Sequence, residues 1–381
     1  MTDLYTTFFG QCDDMPAIEM RLRAWLEGAS DVGLLALVAE QDGPAVTRLQ
    51  DLCNRVGMPL LGAVFPELHF DGSFQRRGML LIPMRPKADF HRILTFDGDP
   101  SDTADQIESL AAQISECVDG ETPATLLLLF DALVPNIGSL LEALYLRLAE
   151  SVHYAGANAG SETFKPIPCL FDNARFTHNG LLAILLNAHH GAVLEHSYRA
   201  PEQIVAATST DGNRIISIGW QPAFEVYRDR IREIYGVEVN RDNFYDYAVH
   251  FPFGILRADD EVLVRIPVAL EEDGSLFCVG EVPEHAVLTL LEAPPSEDLH
   301  SAQLLSRRLD AHAGPLLTFY CAGRRMHLGE TGAAAELREL QQQLPERQVF
   351  GALSLGEIGS SQRGGYPLFH NATLVCMNIR V

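Results

Sequence analysis

Short apolar runs recur along the first third of this 381-residue chain, each cut off by glycine, proline or aspartate. They read "DVGLLALVAE" (31–40), "MPLLGAVFP" (58–66), "GMLLIPM" (78–84) and "ATLLLLFDAL" (124–133). Such runs are too short to span a bilayer, and a strand that is apolar on both faces has to be covered on both. The stretches between them supply the cover. "GPAVTRLQDLCNRVG" carries Val46, Leu49, Cys53 and Val56 at helical spacing. "DTADQIESLAAQISECVDG" (102–120) is amphipathic with an acidic start, which suits the positive end of a helix dipole. "IGSLLEALYLRLAES" (137–151) reads as another helix. Strand, helix, strand in this order predicts an α+β (mixed α/β) chain with helices against a mostly buried sheet.

Beyond His153 the texture changes. "VHYAGANAGSETF" (152–164) reads as a small, glycine-rich turn, and "IPCLFDNARFTHNGLLAILLNA" (167–188) as two strand runs. "ATSTDGNRIISI" (207–218) and "EVLVRIPVALEEDGSLFCVGEV" (261–282) each turn at Asp-Gly between β-rich flanks, a hairpin pattern. Between them "PAFEVYRDRIREIYG" (222–236) predicts a helix opened by proline and closed by glycine. The expected organisation is a helical lead-in over residues 1–30, an N-terminal domain over 31–213 and a C-terminal domain over 214–381. No short-period repeat is visible.

A net charge of −23 argues against a surface made for nucleic acid or for anionic membranes. The first twenty residues have no basic region and no apolar core of a signal peptide, so the expected location is cytoplasmic. Seven scattered cysteines without a CxxC pair predict reduced, mainly buried thiols. No phosphate loop, GxGxxG turn or G-x-S-x-G elbow occurs.

An ordered series of segments carries a family resemblance. "PAFEVYRDRI", "HFPFGI", "VLVRIPV", "DGSLFCVGEVPE", "LLTFYCAGRRMHLG", "FGALSLGEIG" and "FHNATLV" resemble the C-terminal half of FIST proteins, intracellular sensory modules for small ligands. "VGLLALVAE", "LLGAVFPEL", "TLLLLFDAL", "YAGANAGS", "PIPCLFDN" and "GLLAILL" are similar to the N-terminal FIST half. The resemblance implies a two-half FIST architecture of mixed sheets flanked by helices, and a sensor rather than an enzyme. The stretch "HHGAVLEHSYRAP" (189–201) resembles one branch, the NosP proteins. That branch implies non-covalent haem b bound through histidine, nitric oxide or another diatomic gas as the signal, and a histidine kinase as partner. Self-association into a homo-oligomer stays open.

Two sets of residues are candidates for the site. For haem, the iron needs a neutral imidazole nitrogen, and the porphyrin needs an apolar slot and a group for its propionates. His196 stands first, beside Tyr198 and Arg199, with Arg199 placed to neutralise a propionate. His250, among aromatic residues, is an alternative ligand, as are His153 and His190. The second set lies where the last strands end: Cys321, Arg324, Glu357, His370 and Asn371, with Thr373 beside them. These groups suit a pocket for an amino acid or carboxylate held by the Arg324 fork. The other readings are a structural network in which Glu357 pairs with Arg324, or a thiol nucleophile at Cys321 activated by His370.

Overall fold

The four apolar runs become inner strands of two of three six-stranded sheets, and all three sheets share one strand order. This architecture comes from a computed structural model describing residues 6–380, apart from 89, 188, 259–260, 296, 298, 310–313 and 361–364. The first unit runs β1 (Phe8–Gly10), α1 (Met15–Gly28), β2 (Gly33–Ala39), α2 (Val46–Val56), β3 (Leu60–Phe65), β4 (Leu68–Phe70), β5 (Ser73–Gln75) and β6 (Met79–Met84). The second repeats it: β7 (Phe90–Thr95), α3 (Pro100–Cys117), β8 (Ala124–Asp131), α4 (Ile137–Leu148), β9 (His153–Ala159), β10 (Leu170–Asp172), β11 (Phe176–Thr177) and β12 (Gly180–Asn187).

The third unit opens with β13 (Ala192–Glu195) and is then interrupted. The insertion contains β14 (Ile204–Asp211), β15 (Arg214–Ile218), β16 (Gln221–Pro222), α5 (Ala223–Tyr235), α6 (Phe244–Ala248), β17 (Phe253–Leu256), β18 (Val262–Arg265), β19 (Pro267–Leu270), β20 (Leu276–Cys278) and β21 (Val287–Leu290). Its strands form a single eight-stranded sheet with its own apolar core. The unit resumes with α7 (His300–Arg308), β22 (Leu316–Cys321), α8 (Ala322–Gln343), β23 (Val349–Ser354), β24 (Glu357–Gly359), β25 (Leu368–His370) and β26 (Leu374–Asn378).

Each six-stranded sheet is built around a parallel pair joined by a helix: β2 with β3, β8 with β9, β22 with β23. The unit's own last strand lies antiparallel on one side, as β6, β12 or β26. On the other side lies a hairpin from a different unit. Hairpin β10–β11 joins β3, β24–β25 joins β9, and β4–β5 joins β23, so the exchange closes in a ring.

The three second strands β3, β9 and β23 touch one another pairwise. Small residues make this approach feasible. Ala63, Ala157 and Ala352 are fully buried in one shared core. The preceding residues, Gly62, Gly156 and Gly351, stand opposite Ala36, Leu128 and Thr318, whose carbonyl oxygens any added Cβ would strike. Backbone bonds repeat around the ring: Val64 N–H donates to Cys169 O, Asn158 N–H to Gly356 O and Leu353 N–H to Glu67 O, each at 2.8 Å. Gly160 N–H likewise donates to Val64 O and Leu355 N–H to Asn158 O. Pro66 occupies the third equivalent position and has no N–H to give.

The architecture is a mixed α/β fold with helices flanking mixed sheets, as the alternation of apolar runs and amphipathic stretches predicts. Glycines at positive φ end α2 (Gly57) and α5 (Gly236), and Asp102 accepts the Asp99 N–H at the start of α3. Three details differ from expectation. Residues 153–159, expected as a turn, form the central strand β9, because glycine and alanine there serve close strand packing rather than a bend. The lead-in carries β1, paired with β6, ahead of its helix. The expected boundary at 213/214 falls in the turn that joins paired strands β14 and β15. Among the described residues, no helix is long and apolar enough to cross a membrane.

Candidate ligand site

Strand β9 has a parallel neighbour from its own unit and an antiparallel one from the third, and a crevice opens beyond the carboxyl ends of β8 and β9. Open α/β sheets bind ligands at such places. The cavity measures about 580 Å³, within the usual range for small-molecule pockets. Its walls are residues 132–137 after β8, Asn158 of β9 and Phe164 on one side. On the other side are the β14–β15 turn with Asn213, residues 277–280 and Phe369. Phe164, Val268 and Val279 also line a second lobe of about 220 Å³. That lobe reaches Glu162, Ile266, Cys321, the first turn of α8 and Asn371.

The walls are mainly apolar with a few polar groups. Asn158 is 1% exposed, and among the described residues its Oδ1 has no hydrogen-bond partner. The Oδ1 of Asn213 is also buried and unpartnered. Among the described residues, Asp211 and Glu162 are the charged residues of the two lobes, and no Lys, Arg or His lines either one. Glu162 pairs with Arg325 at 3.2 Å, and Arg325 in turn meets Glu67 at 2.9 Å.

The C-terminal candidates divide across this wall. Cys321 and Asn371 line the smaller lobe; Arg324, Glu357 and His370 stand behind it. Arg324 is fully buried and its donors are spent inside the fold. It bonds Glu336 through Nε at 2.8 Å and through Nη2 at 2.6 Å. It also donates to His196 O at 2.7 Å, Ser301 Oγ at 2.8 Å and Ala372 O at 3.3 Å. Burial would push this guanidinium down, but the Glu336 carboxylate holds it above its ordinary value. Its ion-pair partner is therefore Glu336, not Glu357, and no donor remains for a ligand clamp.

Glu357 accepts from Ser354 Oγ at 2.6 Å and Thr373 Oγ1 at 2.7 Å. Burial pushes its carboxyl up to about 7 against those bonds. His370 is pushed down to about 3 by burial, with His196 and Arg265 adding to the effect, and neither ring nitrogen meets a partner at bonding geometry. The Cys321 thiol is raised by burial and by Glu357, and its Sγ accepts the Ala372 N–H at 3.1 Å. That is the surrounding of an inert thiol rather than an activated one. Asn371 accepts from Ile266 N–H at 3.4 Å and donates to His370 O at 3.0 Å. Residues 361–364, between β24 and β25, lie outside the described residues.

The haem candidates do not share one slot. His196 Nδ1 accepts the Tyr198 N–H at 2.9 Å, so Nε2 carries the proton toward Val262 O at 3.2 Å. Both nitrogens are engaged, leaving none for iron. Tyr198 is buried in a small apolar cluster, whereas Arg199 lines a separate hollow of about 440 Å³ beside Glu292 and Pro294. His250 has a different arrangement. His327 Nε2 donates to Pro294 O at 2.7 Å, so His327 Nδ1 accepts from His250 Nδ1 at 2.8 Å. This leaves His250 Nε2 as a lone-pair acceptor, the tautomer a metal-binding imidazole needs. The rings of His153 and His190 lie 6.5 Å apart, and neither lines the cleft. Among the described residues, no group of three or more His, Cys, Asp or Glu is arranged to hold a metal ion.

Sequence reasoning missed Asn158, Asn213 and Phe164. A signal for Asn158 exists: it is the polar member of a set whose equivalents in the other second strands are Val64 and Leu353.

No curated protein matches the chain. Residues 33–221 match the FIST N domain and residues 223–360 the FIST C domain, so the two cover most of its length and the chain belongs to the FIST proteins.

Proposed function

We propose that this protein is a sensor whose small-molecule ligand binds in the cleft beyond β8 and β9. FIST domains are sensory, non-catalytic modules. The observation carrying the reading is a cavity of about 580 Å³ walled by the second unit on one side and by the inserted sheet and β25 on the other. A ligand there touches both walls, so its affinity differs between closer and wider settings of the cleft. That difference is what lets binding bias a conformation that a partner reads. The test is a thermal-shift screen of metabolites against wild type and Val268→Trp, a substitution at a residue that lines both lobes. A ligand at about 100 times its Kd adds about 2.7 kcal/mol of stability. The reading expects that shift in wild type and its loss in Val268→Trp; a shift untouched by the substitution refutes it.

A haem-dependent form of the sensor, with nitric oxide as signal and a histidine kinase as partner, is supported by one observation. The His327–Pro294 relay holds His250 in a tautomer with Nε2 free to ligate. His196 does not fit that role, having both nitrogens bonded. Protein produced with haem supply would then show a Soret band that moves on adding nitric oxide and disappears in His250→Ala. Colourless protein that takes up no added haem removes this form and leaves the first reading intact.

A further inference from the structure

Taking the cleft as the ligand site, we infer that its ligand is a neutral or cationic, largely apolar molecule that donates a hydrogen bond to Asn158, and that carboxylates and phosphates are excluded. The inference rests on the proposed ligand site and on the chemistry of the walls. Asn158 Oδ1 is a buried acceptor without a partner, on a residue that lines the cavity. Less than 1 Å² of that oxygen is accessible, so a ligand N–H or O–H recovers the cost of the unpaired acceptor once the Asn158 amide turns over toward the cavity. Asn213 Oδ1, on the facing turn, is a second acceptor in the same condition.

Among the described residues, none that lines the cleft is a cation to balance an anionic ligand. Neither lobe, among those residues, is lined by Lys, Arg or His, and both carry an acid, Asp211 in one and Glu162 in the other. Three buried arginines of the C-terminal half are already committed. Arg324 pairs with Glu336, Arg325 with Glu67 and Glu162, and Arg265 donates to the carbonyls of Val264, Glu281 and Phe369. An anion moved from water into this cleft loses its hydration and gains no counter-charge from the described wall residues. An amine in the larger lobe meets Asp211, whereas Glu162 in the smaller lobe is already paired with Arg325.

The experiment uses matched probes that share a skeleton and differ only in the polar end. Tryptamine, indole-3-acetamide and indole-3-acetate form one set; phenethylamine, phenylacetamide and phenylacetate form another. Calorimetry on the full chain should show the amine or amide of a set binding at least about tenfold more tightly than its carboxylate, with Asn158→Leu losing about tenfold of that affinity. Should Asn158→Leu fail to fold, Asn213→Ala in the turn serves instead, with the same direction of change. Carboxylates that bind as tightly as their amines overturn the ligand class, and if Val268→Trp abolishes that binding the cleft reading survives. Amine binding that persists in Val268→Trp overturns the cleft itself. Absence of binding by every amine and amide at millimolar concentration also overturns the class.

Discussion

Arg324 and Glu336 are both fully buried, and each is the other's counter-charge. Arg324→Met leaves a carboxylate in the core with only the Tyr320 hydroxyl to hold it, at 2.7 Å. Breaking one side of a buried pair costs about 3–5 kcal/mol, so urea unfolding of Arg324→Met should show a loss of that size. Arg324→Met/Glu336→Leu should regain part of it, since no unpaired charge remains; a further loss would contradict the pairing. Glu357 makes a separate prediction. Its carboxyl, pushed from the ordinary 4.5 up to about 7 by burial, stays protonated in the fold where the unfolded chain has lost the proton. Stability therefore falls as pH rises between those values, by about 3 kcal/mol in all. His370 and His69, pushed down to about 3 and about 4 by burial, work the other way, costing stability as pH falls below 6.5. Subtracting the stability of Glu357→Gln at each pH isolates the glutamate. The difference should decline from pH 4.5 to pH 7 and be level outside that window; a flat profile would mean that Glu357 is ionised in the fold.

The strands β3, β9 and β23 depend on residues that give up side-chain volume. Gly156→Ala and Gly351→Ala set a methyl against the carbonyls of Leu128 and Thr318, inside parallel pairs that cannot separate without disturbing the shared core. Overpacking of this kind costs about 1–3 kcal/mol, and the two variants should show similar losses in denaturant midpoint, since their positions are equivalent. Gly120→Ala, at a loop position where a Cβ meets nothing, is the control for glycine content; its positive φ predicts only the smaller cost of backbone strain. Most elements were legible in the sequence. Unbroken apolar runs mark β2, β3, β6 and β8, and Pro222 and Gly236 bracket α5. The unit repeat was also on view, in "GAVF", "GANA" and "GALS", but two conserved chemical types in four residues are too little to outweigh unlike surroundings. Misreading "GANA" as a turn followed from treating glycine as a bend signal, when here it marks close approach. The cleft was only half legible. Cys321 and Asn371 sit where converging strand ends place them, whereas Arg324 was misassigned because its partner Glu336 lies twelve residues along α8 and nothing in the spacing distinguishes a core pair from a ligand clamp.

The exchange of hairpins ties the three units into one cooperative object. Unit one completes its sheet with β10–β11, unit two with β24–β25, and unit three with β4–β5, so removal of any unit strips an edge from another. The core that joins them draws on all three, from Leu35 and Ala63 through Leu127 and Ala157 to Phe319 and Ala352. A cut at 213/214 therefore separates more than two halves of a chain. It parts β14 from β15, leaves β9 without β24, and leaves β23 without β4. Each fragment would expose unpaired strand edges and a split apolar core, conditions that favour aggregation over folding. Expressed apart, residues 31–213 and 214–381 should show no cooperative thermal transition; two independently folded fragments would refute the ring. The two tryptophans give the matching test on the intact chain. Trp25 is buried in the shared core, whereas Trp220 on the inserted sheet is 83% exposed, so the change in emission on unfolding comes mainly from Trp25. If the molecule is cooperative throughout, that signal and the far-ultraviolet circular dichroism fall at one urea concentration. The inserted sheet has a core of its own, yet Leu368 of β25 belongs to it, and β25 is also an edge of the second unit's sheet. Through that strand the insertion should melt with the ring, and a circular dichroism transition that trails the Trp25 signal would show that it does not.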